Sequence, residues 1–449
     1  MRRLFGTDGV RGRAGEYPLD PPTVRRLGAA LARTLGDRAR GVRFLAGRDT
    51  RESGPWIERE LAVGIRSQGG ALVSAGVIPT PAIAYLTPRM DYTAGVVISA
   101  SHNPFEDNGI KVFSGSGEKI VETLEDRVEA VMADQSWSVS DASESAGVDE
   151  VDCRAEYVDH LLRILPPDDR RARVPIALDC ANGATATVAP QLFERLGFDI
   201  RRIGCDPNGR NINLGCGSTA PDLLARTVTE TGCRLGIAYD GDGDRAIFVD
   251  DRGGIVDGDA VLLMCARQLK AEGRLKGNAV VATVMSNIGL DMALREADIE
   301  IVRCPVGDKY VMDELLRRGL SLGGEQSGHV IFSEHLFTGD GLATSLQVLR
   351  TMEVTGRALS DLAAGLKKYP QVLLNVRVDR KVDLKTIEPV AAVMEGVERR
   401  LAGHGRLLVR YSGTEPLLRI MLEGRQEGEI QRWAQEIADA VTEHLGRGM

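Results

Sequence analysis

The sequence predicts an α/β protein of four domains: three related α/β domains followed by a smaller C-terminal α+β domain. The chain has 449 residues, which is too many for one ordinary hydrophobic core. Apolar strand-like segments alternate with amphipathic helical segments, a pattern typical of α/β layering. A polar, small-residue-rich stretch, MADQSWSVSDASESAGVDE, has the composition of a linker after the first unit.

We place the domains at residues 1–150, 151–253, 254–366 and 367–449. In the first, VRFLAG, ALVSAG and GVVISA predict strands, and a helix is expected from Ser53 to about Gln68. In the second, strands are expected at VPIALD, DIRRIG and RLGIAYD. In the third, they are expected at AVVATV and IEIVRC, with a helix after VGDKYV.

The C-terminal segment has a different order of elements. Strands at QVLLNVRV, GRLLVRY and PLLRIMLEG are combined with a helix from about Thr386 and a terminal helix. We therefore expect an α+β domain there, and we expect a hinge near Gln371.

Composition and charge exclude several classes of protein. The formal net charge is −8, so no broad basic surface is expected to attract nucleic acid. No apolar stretch approaches the length of a membrane span, and MRRLFGTDGVRG does not have the pattern of a signal peptide. The seven cysteines form no Cys-x-x-Cys pair, and their odd number argues against a closed disulfide framework. We expect a cytoplasmic protein with reduced thiols.

The stretch ISASHNPFEDNGIKVFSG ends a predicted strand in two serines. An ordinary strand-to-loop corner needs polar and turn-forming residues, and this stretch satisfies that requirement. Open α/β sheets also bind their ligands at strand ends, so the same stretch is a candidate site for a nucleophilic serine. The remaining motifs distinguish these two interpretations.

The stretch YDGDGDRAIFVD places Asp240, Asp242 and Asp244 in alternation with glycines. Three adjacent carboxylates repel one another unless a cation or strong donors compensate them, and hard oxygen ligands suit Mg²⁺ or Ca²⁺. A calcium-binding EF-hand is excluded because loop positions six and twelve hold Arg245 and Asp251. The competing interpretation is a solvated acidic turn.

Three further stretches hold candidate binding groups. GGEQSGHVIF presents polar side chains in a strand-loop-strand setting, where sugar binding and an ordinary polar hairpin are both plausible. VRYSGTEPLLRI surrounds a Ser-Gly-Thr turn with arginines, which suits a phosphate dianion or an ordinary turn. FGTDGVRG brings glycines and an arginine together, and a flexible N-terminus is its alternative. GRDTRESG, with Arg48 and Arg51, is a basic loop after a strand, for which we expect a solvated loop in preference to the alternative of a binding role.

Taken together, these stretches resemble the α-D-phosphohexomutase superfamily. ASHNP, DGDGDR, GEQSGH and SGTEP occur in the order and spacing of that family and span nearly the whole chain. FGTDGVRG and GGEQSGHVIF are most similar to its amino-sugar branch, since Gln326 stands where the phosphomannomutase/phosphoglucomutase branch usually has methionine. Two departures are Tyr411, where proline or a small residue is commoner, and Lys309, where arginine is usual.

The resemblance implies four domains around a central cleft and a mutase that uses a phosphoserine. The implied reaction interconverts glucosamine 6-phosphate and glucosamine 1-phosphate through a 1,6-bisphosphate, and it feeds amino-sugar nucleotide synthesis for the cell wall. One Mg²⁺ per chain, a hexose 1,6-bisphosphate activator and a small phosphosugar substrate are implied, and a homodimer is compatible with the family. The alternative is a phosphomannomutase or phosphoglucomutase acting on neutral hexose phosphates.

The resemblance also implies roles for particular residues. Ser101 matches the phosphoserine, and with Asp240, Asp242 and Asp244 it matches the metal ligands. The catalytic candidates besides Ser101 are Lys111, Arg11, His102 and His329. The substrate-binding candidates are Glu325, Ser327, Arg410, Ser412, Gly413, Thr414, Arg419 and Arg245. A phosphatase with the same metal site, and a non-enzymatic sugar-phosphate-binding protein, are the competing classes.

Overall fold

The computed structural model describes residues 4–6, 8–36, 41–139, 147–401, 403–412 and 416–446. The chain divides into two compact units. The first comprises Met1–Met285 with Ile299–Gly365, and the second comprises Ser286–Asp298 with Leu366–Met449. Among the described residues, the first unit contains three sheets and the second contains one.

The first sheet has six strands in the order β1-β5-β4-β2-β3-β6. They are β1 (Val10–Arg13), β2 (Arg43–Arg48), β3 (Ala71–Val77), β4 (Ala94–Ile98), β5 (Asp107–Ser114) and β6 (Asp149–Glu150). Its helices are α1 (Pro21–Leu35), α2 (Gly54–Ser67), α3 (Thr80–Arg89) and α4 (Glu122–Ala133). Strand β4 is buried along its whole length, as its continuous apolar run AGVVI predicts for a central strand.

The second sheet has the order β11-β10-β9-β7-β8. Its strands are β7 (Pro175–Asp179), β8 (Asp199–Ile203), β9 (Gly236–Tyr239), β10 (Ala246–Val249) and β11 (Ile255–Val256). Its helices are α5 (Arg154–Leu161), α6 (Ala189–Arg195) and α7 (Asp222–Thr231). Strands β9 and β10 pair antiparallel, so the acidic stretch between them forms the loop of a hairpin.

The third sheet has the order β13-β12-β14-β15. Its strands are β12 (Ala279–Thr283), β13 (Glu300–Cys304), β14 (Leu322–Gly324) and β15 (Val330–Phe332). The helices in this part of the chain are α8 (Gly258–Ala271), α9 (Ile288–Glu296), α10 (Asp308–Arg318), α11 (Gly341–Thr355) and α12 (Leu359–Ala363). Strands β14 and β15 are antiparallel, which confirms the strand-loop-strand prediction for GEQSGH.

The second unit has an antiparallel sheet in the order β16-β18-β17. Its strands are β16 (Gln371–Arg377), β17 (Arg406–Tyr411) and β18 (Leu417–Glu423), and its further helices are α13 (Glu388–Leu401) and α14 (Glu427–Leu445). Helix α9 belongs to this unit, although our predicted boundaries assign it to the third domain. The buried carboxylate of Glu423 explains this grouping, because it accepts hydrogen bonds from Ile288 N and Asn287 Nδ2 at the start of α9.

Element types agree with the sequence prediction, and most boundaries shift by one or two residues. The helix expected after VGDKYV begins earlier, inside that stretch, at Asp308. The helix predicted from Ser53 to Gln68 spans Gly54–Ser67, and the strand AIFV forms β10. One prediction is wrong: Arg51 is not in a solvated loop, since only 1% of it is exposed. Among the described helices, none combines the length and the apolar character that crossing a membrane requires.

Candidate active site

Ser101 lies just beyond the end of β4, where the chain leaves the first sheet. The Ser99 hydroxyl donates to Asp49 Oδ2 at 2.6 Å and accepts from Ser101 N at 2.9 Å. Ser101 has a left-handed backbone with φ of 53°. Its Oγ donates to Asp240 Oδ2 at 2.5 Å and lies 3.2 Å from His102 Nδ1. Ser101, rather than Ser99, therefore faces the acidic loop.

The loop between β9 and β10 brings Asp240, Asp242 and Asp244 together. One ligand oxygen from each lies within 4.8 Å of the others, and all three residues are buried. Gly241 allows this loop to approach the serine: a Cβ at that position would lie 2.5 Å from the carbonyl oxygen of Ser101. The carboxylates and Ser101 thus form one cluster.

This cluster fits a hard divalent cation. Asp242 Oδ1 and Asp244 Oδ1 are buried and have no hydrogen-bond donor among the described residues. Burial, followed by the charges of Asp244 and Asp242, raises the pKa of Asp240 well above its usual value. A cation bound by oxygen ligands would remove that repulsion, and Mg²⁺ and Ca²⁺ both prefer such ligands. The three aspartates and Ser101 Oγ are the groups that would hold it.

Lys111 supplies the nearest positive charge. It lies on β5 with 1% exposure, and its Nζ is 2.9 Å from Asp242 Oδ2, 3.1 Å from Asp244 Oδ2 and 3.2 Å from Asp8 Oδ2. Burial lowers the pKa of Lys111, but the three carboxylates outweigh burial and raise it well above its usual value. The side chain is therefore held as an ammonium ion.

Asp8 connects Lys111 to a chain of further ion pairs. Its carboxylate also pairs with Arg11 and with Lys119, and Lys119 pairs in turn with Asp308 at the start of α10. Burial raises the pKa of Asp8, but Lys111, Lys119 and Arg11 together bring it well below its usual value. These ion pairs join the first and third sheets of the first unit through charged groups around the acidic loop.

His329 and Arg245 flank the acidic loop on other sides. His329 is buried, with Nδ1 3.6 Å from Asp244 Oδ1 and Nε2 accepting from Gly339 N at 3.1 Å. That hydrogen bond assigns the ring proton to Nδ1, facing Asp244. The Nε of Arg245 is 3.8 Å from Asp244 Oδ1 and has no hydrogen-bond acceptor among the described residues. Arg245 thus retains donor capacity that suits an oxyanion.

The remaining candidates of the first unit are Glu325, Ser327 and His102. Glu325 Oε1 accepts from Gly307 N at 3.0 Å, and Glu325 Oε2 accepts from Ser327 Oγ at 3.3 Å. Burial, followed by the charges of Arg245 and Arg11, lowers the pKa of His102 to about 4. His102 is therefore a neutral ring beside Ser101 at pH 7.

The predicted phosphate loop belongs to the second unit. Arg410 on β17 and Arg419 on β18 are directly opposite each other in the antiparallel register. Ser412 follows β17, and its backbone N–H donates to Leu417 O at 2.8 Å. Burial, followed by the Arg419 charge, lowers the pKa of Arg410. Gly413 and Thr414 lie outside the described residues.

Sequence reasoning missed several charged or polar groups of the site. Thr80 contacts the acidic loop directly, Asp8 is joined to it through Lys111, and Lys119 and Asp308 extend that chain of ion pairs. Asp8 lies inside FGTDGVRG, but the prediction for that stretch rested on its glycines and Arg11. Thr80, whose hydroxyl donates to Asp242 Oδ2 at 2.6 Å, had no signal because it lies far from that loop in sequence.

Comparison with known proteins gives four consecutive family matches. The descriptions are phosphoglucomutase/phosphomannomutase alpha/beta/alpha domains I, II and III and the C-terminal domain. They match residues 2–138, 155–254, 257–369 and 373–440, respectively. The phosphoglucosamine mutases of Geobacter sp. (strain M21) and Solibacter usitatus (strain Ellin6076) are each 48% identical to the chain, with 99% of both chains covered.

Solved structures share the fold at lower sequence identity. A phosphoglucomutase/phosphomannomutase family protein from Burkholderia thailandensis superposes with a TM-score of 0.81 at 23% identity, covering 99% of this chain and 98% of that one. Aspergillus fumigatus N-acetylphosphoglucosamine mutase, solved with GlcNAc-6P and magnesium, superposes with a TM-score of 0.69 at 17% identity. That match covers 98% of this chain and 95% of the other. These likenesses extend over all four domains.

Proposed function

The chain belongs to the phosphoglucosamine mutase family, within the phosphoglucomutase/phosphomannomutase family, and we propose that it interconverts glucosamine 6-phosphate and glucosamine 1-phosphate. The observation that supports this most directly is the position of Ser101 Oγ, hydrogen-bonded to Asp240 in a cluster of three buried carboxylates. A hydroxyl in that place can receive and return a phosphoryl group beside a bound cation.

The proposed reaction has two phosphoryl transfers. With Ser101 phosphorylated, the P–O bond to Ser101 Oγ breaks and a bond forms to O1 of glucosamine 6-phosphate. The 1,6-bisphosphate then turns over in the site, and its O6 phosphoryl group returns to Ser101. Glucosamine 1-phosphate leaves, so the phosphoserine is regenerated and no net phosphate is consumed.

Mg²⁺ bound at the three aspartates would neutralise charge on the transferring phosphoryl group. The protein supplies further positive charge from Lys111, and Arg245 and Arg11 are the candidate guanidiniums for the phosphoryl oxygens. Lys111 and His329 are the candidates for handling the proton of the attacking hydroxyl. The ion pairs of Lys111 favour its role as a fixed ammonium over that of a proton acceptor.

Substrate recognition is assigned to two groups of residues. Glu325 and Ser327 are proposed to bind sugar hydroxyls. Arg410, Ser412 and Arg419, with Gly413 and Thr414 between them, are proposed to bind the phosphate that is not reacting. Because that phosphate is a dianion in both sugar orientations, one anion site serves both transfers.

Phosphorus-31 NMR of the purified protein with Mg²⁺ and a trace of hexose 1,6-bisphosphate tests the proposal. Glucosamine 6-phosphate, glucose 1-phosphate and mannose 1-phosphate are offered separately, and a parallel sample contains excess EDTA. We expect the fastest conversion with glucosamine 6-phosphate and none with EDTA. An unchanged rate without the bisphosphate, from protein that carries no phosphoserine, would contradict the phosphoenzyme route.

The other outcomes distinguish the competing functions. Faster conversion of a neutral hexose phosphate would move the assignment to the phosphomannomutase/phosphoglucomutase branch while leaving the chemistry intact. Release of inorganic phosphate in place of an isomer would identify a phosphatase. Binding of sugar phosphate with no turnover would favour a binding protein on this fold.

A further inference from the structure

The backbone of Ser101 is held by a buried ion pair that lies outside the reacting cluster. Asp49 and Arg51 are 0% and 1% exposed, and Arg51 Nε donates to Asp49 Oδ2 at 2.9 Å. Neither side chain can contact a sugar phosphate, because both are enclosed by protein. Any effect of this pair on the reaction must therefore act through the residues that it binds.

Hydrogen bonds connect this ion pair to both the amide N–H and the carbonyl oxygen of Ser101. On the amide side, Ser101 N donates to Ser99 Oγ, and the Ser99 hydroxyl donates to Asp49 Oδ2. On the carbonyl side, Arg51 Nη2 donates to Ser101 O at 3.1 Å. The ion pair thus fixes the orientation of the peptide groups before and after the Ser101 Cα.

The same guanidinium also binds the turn that follows. Arg51 Nη2 donates to Asn103 O at 2.8 Å, and Arg51 Nη1 donates to Pro104 O. Asn213, from the second sheet's domain, donates through Nδ2 to Ser101 O at 2.9 Å and to Asn103 O at 3.0 Å. Guanidinium and amide donors from two domains therefore converge on the carbonyl oxygens of one short turn.

This arrangement stabilises a backbone conformation that serine does not favour by itself. The left-handed backbone of Ser101, with φ of 53°, costs free energy in a residue with a side chain and persists only where its surroundings impose it. That backbone directs Oγ toward Asp240. Phosphoryl transfer is sensitive to such alignment, since a displacement of about 1 Å can cost roughly 100-fold in rate.

We propose that the Asp49–Arg51 pair and Asn213 are positioning residues that hold Ser101 in its left-handed conformation and so align its Oγ for phosphoryl transfer. This inference rests on the proposed mutase function for its kinetic consequence. The restraint on the turn does not depend on that function and can be measured separately.

Three variants test the proposal. Arg51→Lys keeps a cation beside Asp49, but one ammonium cannot reproduce the planar guanidinium that spans three carbonyl oxygens. Asn213→Ala removes two hydrogen bonds without leaving a charge unpaired. Arg48→Lys is the matched control: it makes the same exchange three residues earlier, where the Arg48 Nε faces Glu58 Oε2 at 3.4 Å.

The kinetic measurement is kcat per phosphorylated active site, with the phosphorylated fraction taken from the intact mass. We expect a fall of about 100-fold for Arg51→Lys, from lost alignment. We expect about 5-fold for Asn213→Ala, the worth of an ordinary hydrogen bond. KM for glucosamine 6-phosphate should stay within about 2-fold, because uniform substrate binding is untouched. Arg48→Lys should match the wild type.

A purely structural role would lower the phosphorylated fraction and leave kcat per phosphorylated site unchanged, which would overturn the proposal.

Hydrogen exchange measured by mass spectrometry over residues 99–104 needs no turnover. Protection should fall in Arg51→Lys and Asn213→Ala and stay constant in Arg48→Lys. Unchanged protection in both test variants overturns the proposal, as does lost protection with wild-type kcat. The wild type could also isomerise no sugar phosphate while the variants still lose protection. That outcome supports the restraint on the turn and overturns only the proposed function. If Arg51→Lys does not fold, Asn213→Ala decides both measurements.

Discussion

The acidic loop of the first unit and the arginine pair of the second unit both bring like charges together, but they differ in how deeply those charges are buried. Asp240, Asp242 and Asp244 are accompanied by Lys111, whose Nζ lies within 3.1 Å of two of them. Arg410 and Arg419 face each other across β17 and β18, and burial together with the Arg419 charge lowers the pKa of Arg410.

This difference indicates how each region works. The acidic loop carries part of its counter-charge within the fold, so its geometry exists before substrate arrives. Arg410 and Arg419 are only half-buried, and a phosphate dianion gains from both guanidiniums at once. Removing one charge should therefore destabilise the first region and leave the stability of the second nearly unchanged, because the arginine side chain that is removed is partly in water.

The largest effect is expected from Ser101→Ala, which leaves the charges of both regions in place. Without the hydroxyl, no phosphoenzyme forms, and kcat should fall by more than about 1,000-fold. Phosphorus-31 NMR measures the rate, and the intact mass reports the missing phosphoryl group. Full mutase activity in this variant would refute the phosphoserine assignment and every role derived from it.

Lys111→Met tests whether the fold itself compensates the acidic loop. The change leaves buried carboxylates short of their cation, and it should lower the free energy of unfolding by about 3–5 kcal/mol. Urea unfolding measures the loss. Because a bound divalent cation replaces part of the missing charge, the loss should be larger in EDTA than in saturating Mg²⁺.

Lys276→Met is the control for that experiment. Lys276 is an exposed lysine, so its loss should change the free energy of unfolding by less than about 1 kcal/mol. Equal destabilisation by the two variants, with no effect of Mg²⁺, would mean that Lys111 does not compensate the metal cluster.

Asp340 can be compared with the aspartates of the acidic loop, because it is a buried carboxylate with no cation partner among its principal contacts. Its side chain accepts from Ala343 N and from the Tyr157 hydroxyl, and burial raises its pKa to about 6. Asp244, which Lys111 contacts, has its pKa moved in the opposite direction. Two carboxylates beside the same loop thus titrate differently because only one is paired with a cation.

Since the folded-state pKa of Asp340 is raised, its contribution to stability is present below about pH 4 and is lost as pH rises through 6. Asp340→Asn keeps an acceptor for Ala343 N but does not titrate. The free energy of unfolding of wild type relative to this variant should fall by about 3 kcal/mol between pH 4 and pH 7. Urea unfolding at both pH values measures this difference, and a pH-independent difference would contradict the assignment.

Much of this site could be predicted from sequence because its parts are contiguous. Asp240, Asp242 and Asp244 alternate within five residues, and Ser101 directly follows an apolar strand. The element types were also predictable, since apolar runs such as AGVVI and AIFV leave little choice of structure. Local patterns therefore identified both the strands and the groups presented at their ends.

Lys111, which compensates the acidic loop, was among the predicted residues, but the groups around it were not, because they meet the loop only in three dimensions. Asp8 and Thr80 come from other parts of the chain, and their local sequence does not show that they contact Lys111 and Asp242. Arg51 illustrates the opposite error: its polar sequence context, GRDTRESG, favoured solvent, whereas the fold buries it beneath the Ser101 turn. Sequence gives charge and local pattern, but the partner that makes burial of a charge possible appears only in the fold.

The smallest effect is expected from Arg410→Gln, which tests the second half of the comparison. We expect the Arg410 side chain to bind the unreacting phosphate equally well in the ground state and the transition state. Its loss should therefore raise KM about 10-fold and leave kcat nearly unchanged. Because the change also relieves repulsion with Arg419, the free energy of unfolding should stay within about 0.5 kcal/mol of wild type. Arg425→Gln, an exposed arginine beyond β18, is the control and should alter neither quantity. Steady-state kinetics and urea unfolding measure both. A loss of stability as large as that of Lys111→Met would show that the half-buried Arg410 stabilises the fold as a buried charge does, and an unchanged KM would remove Arg410 from the phosphate site.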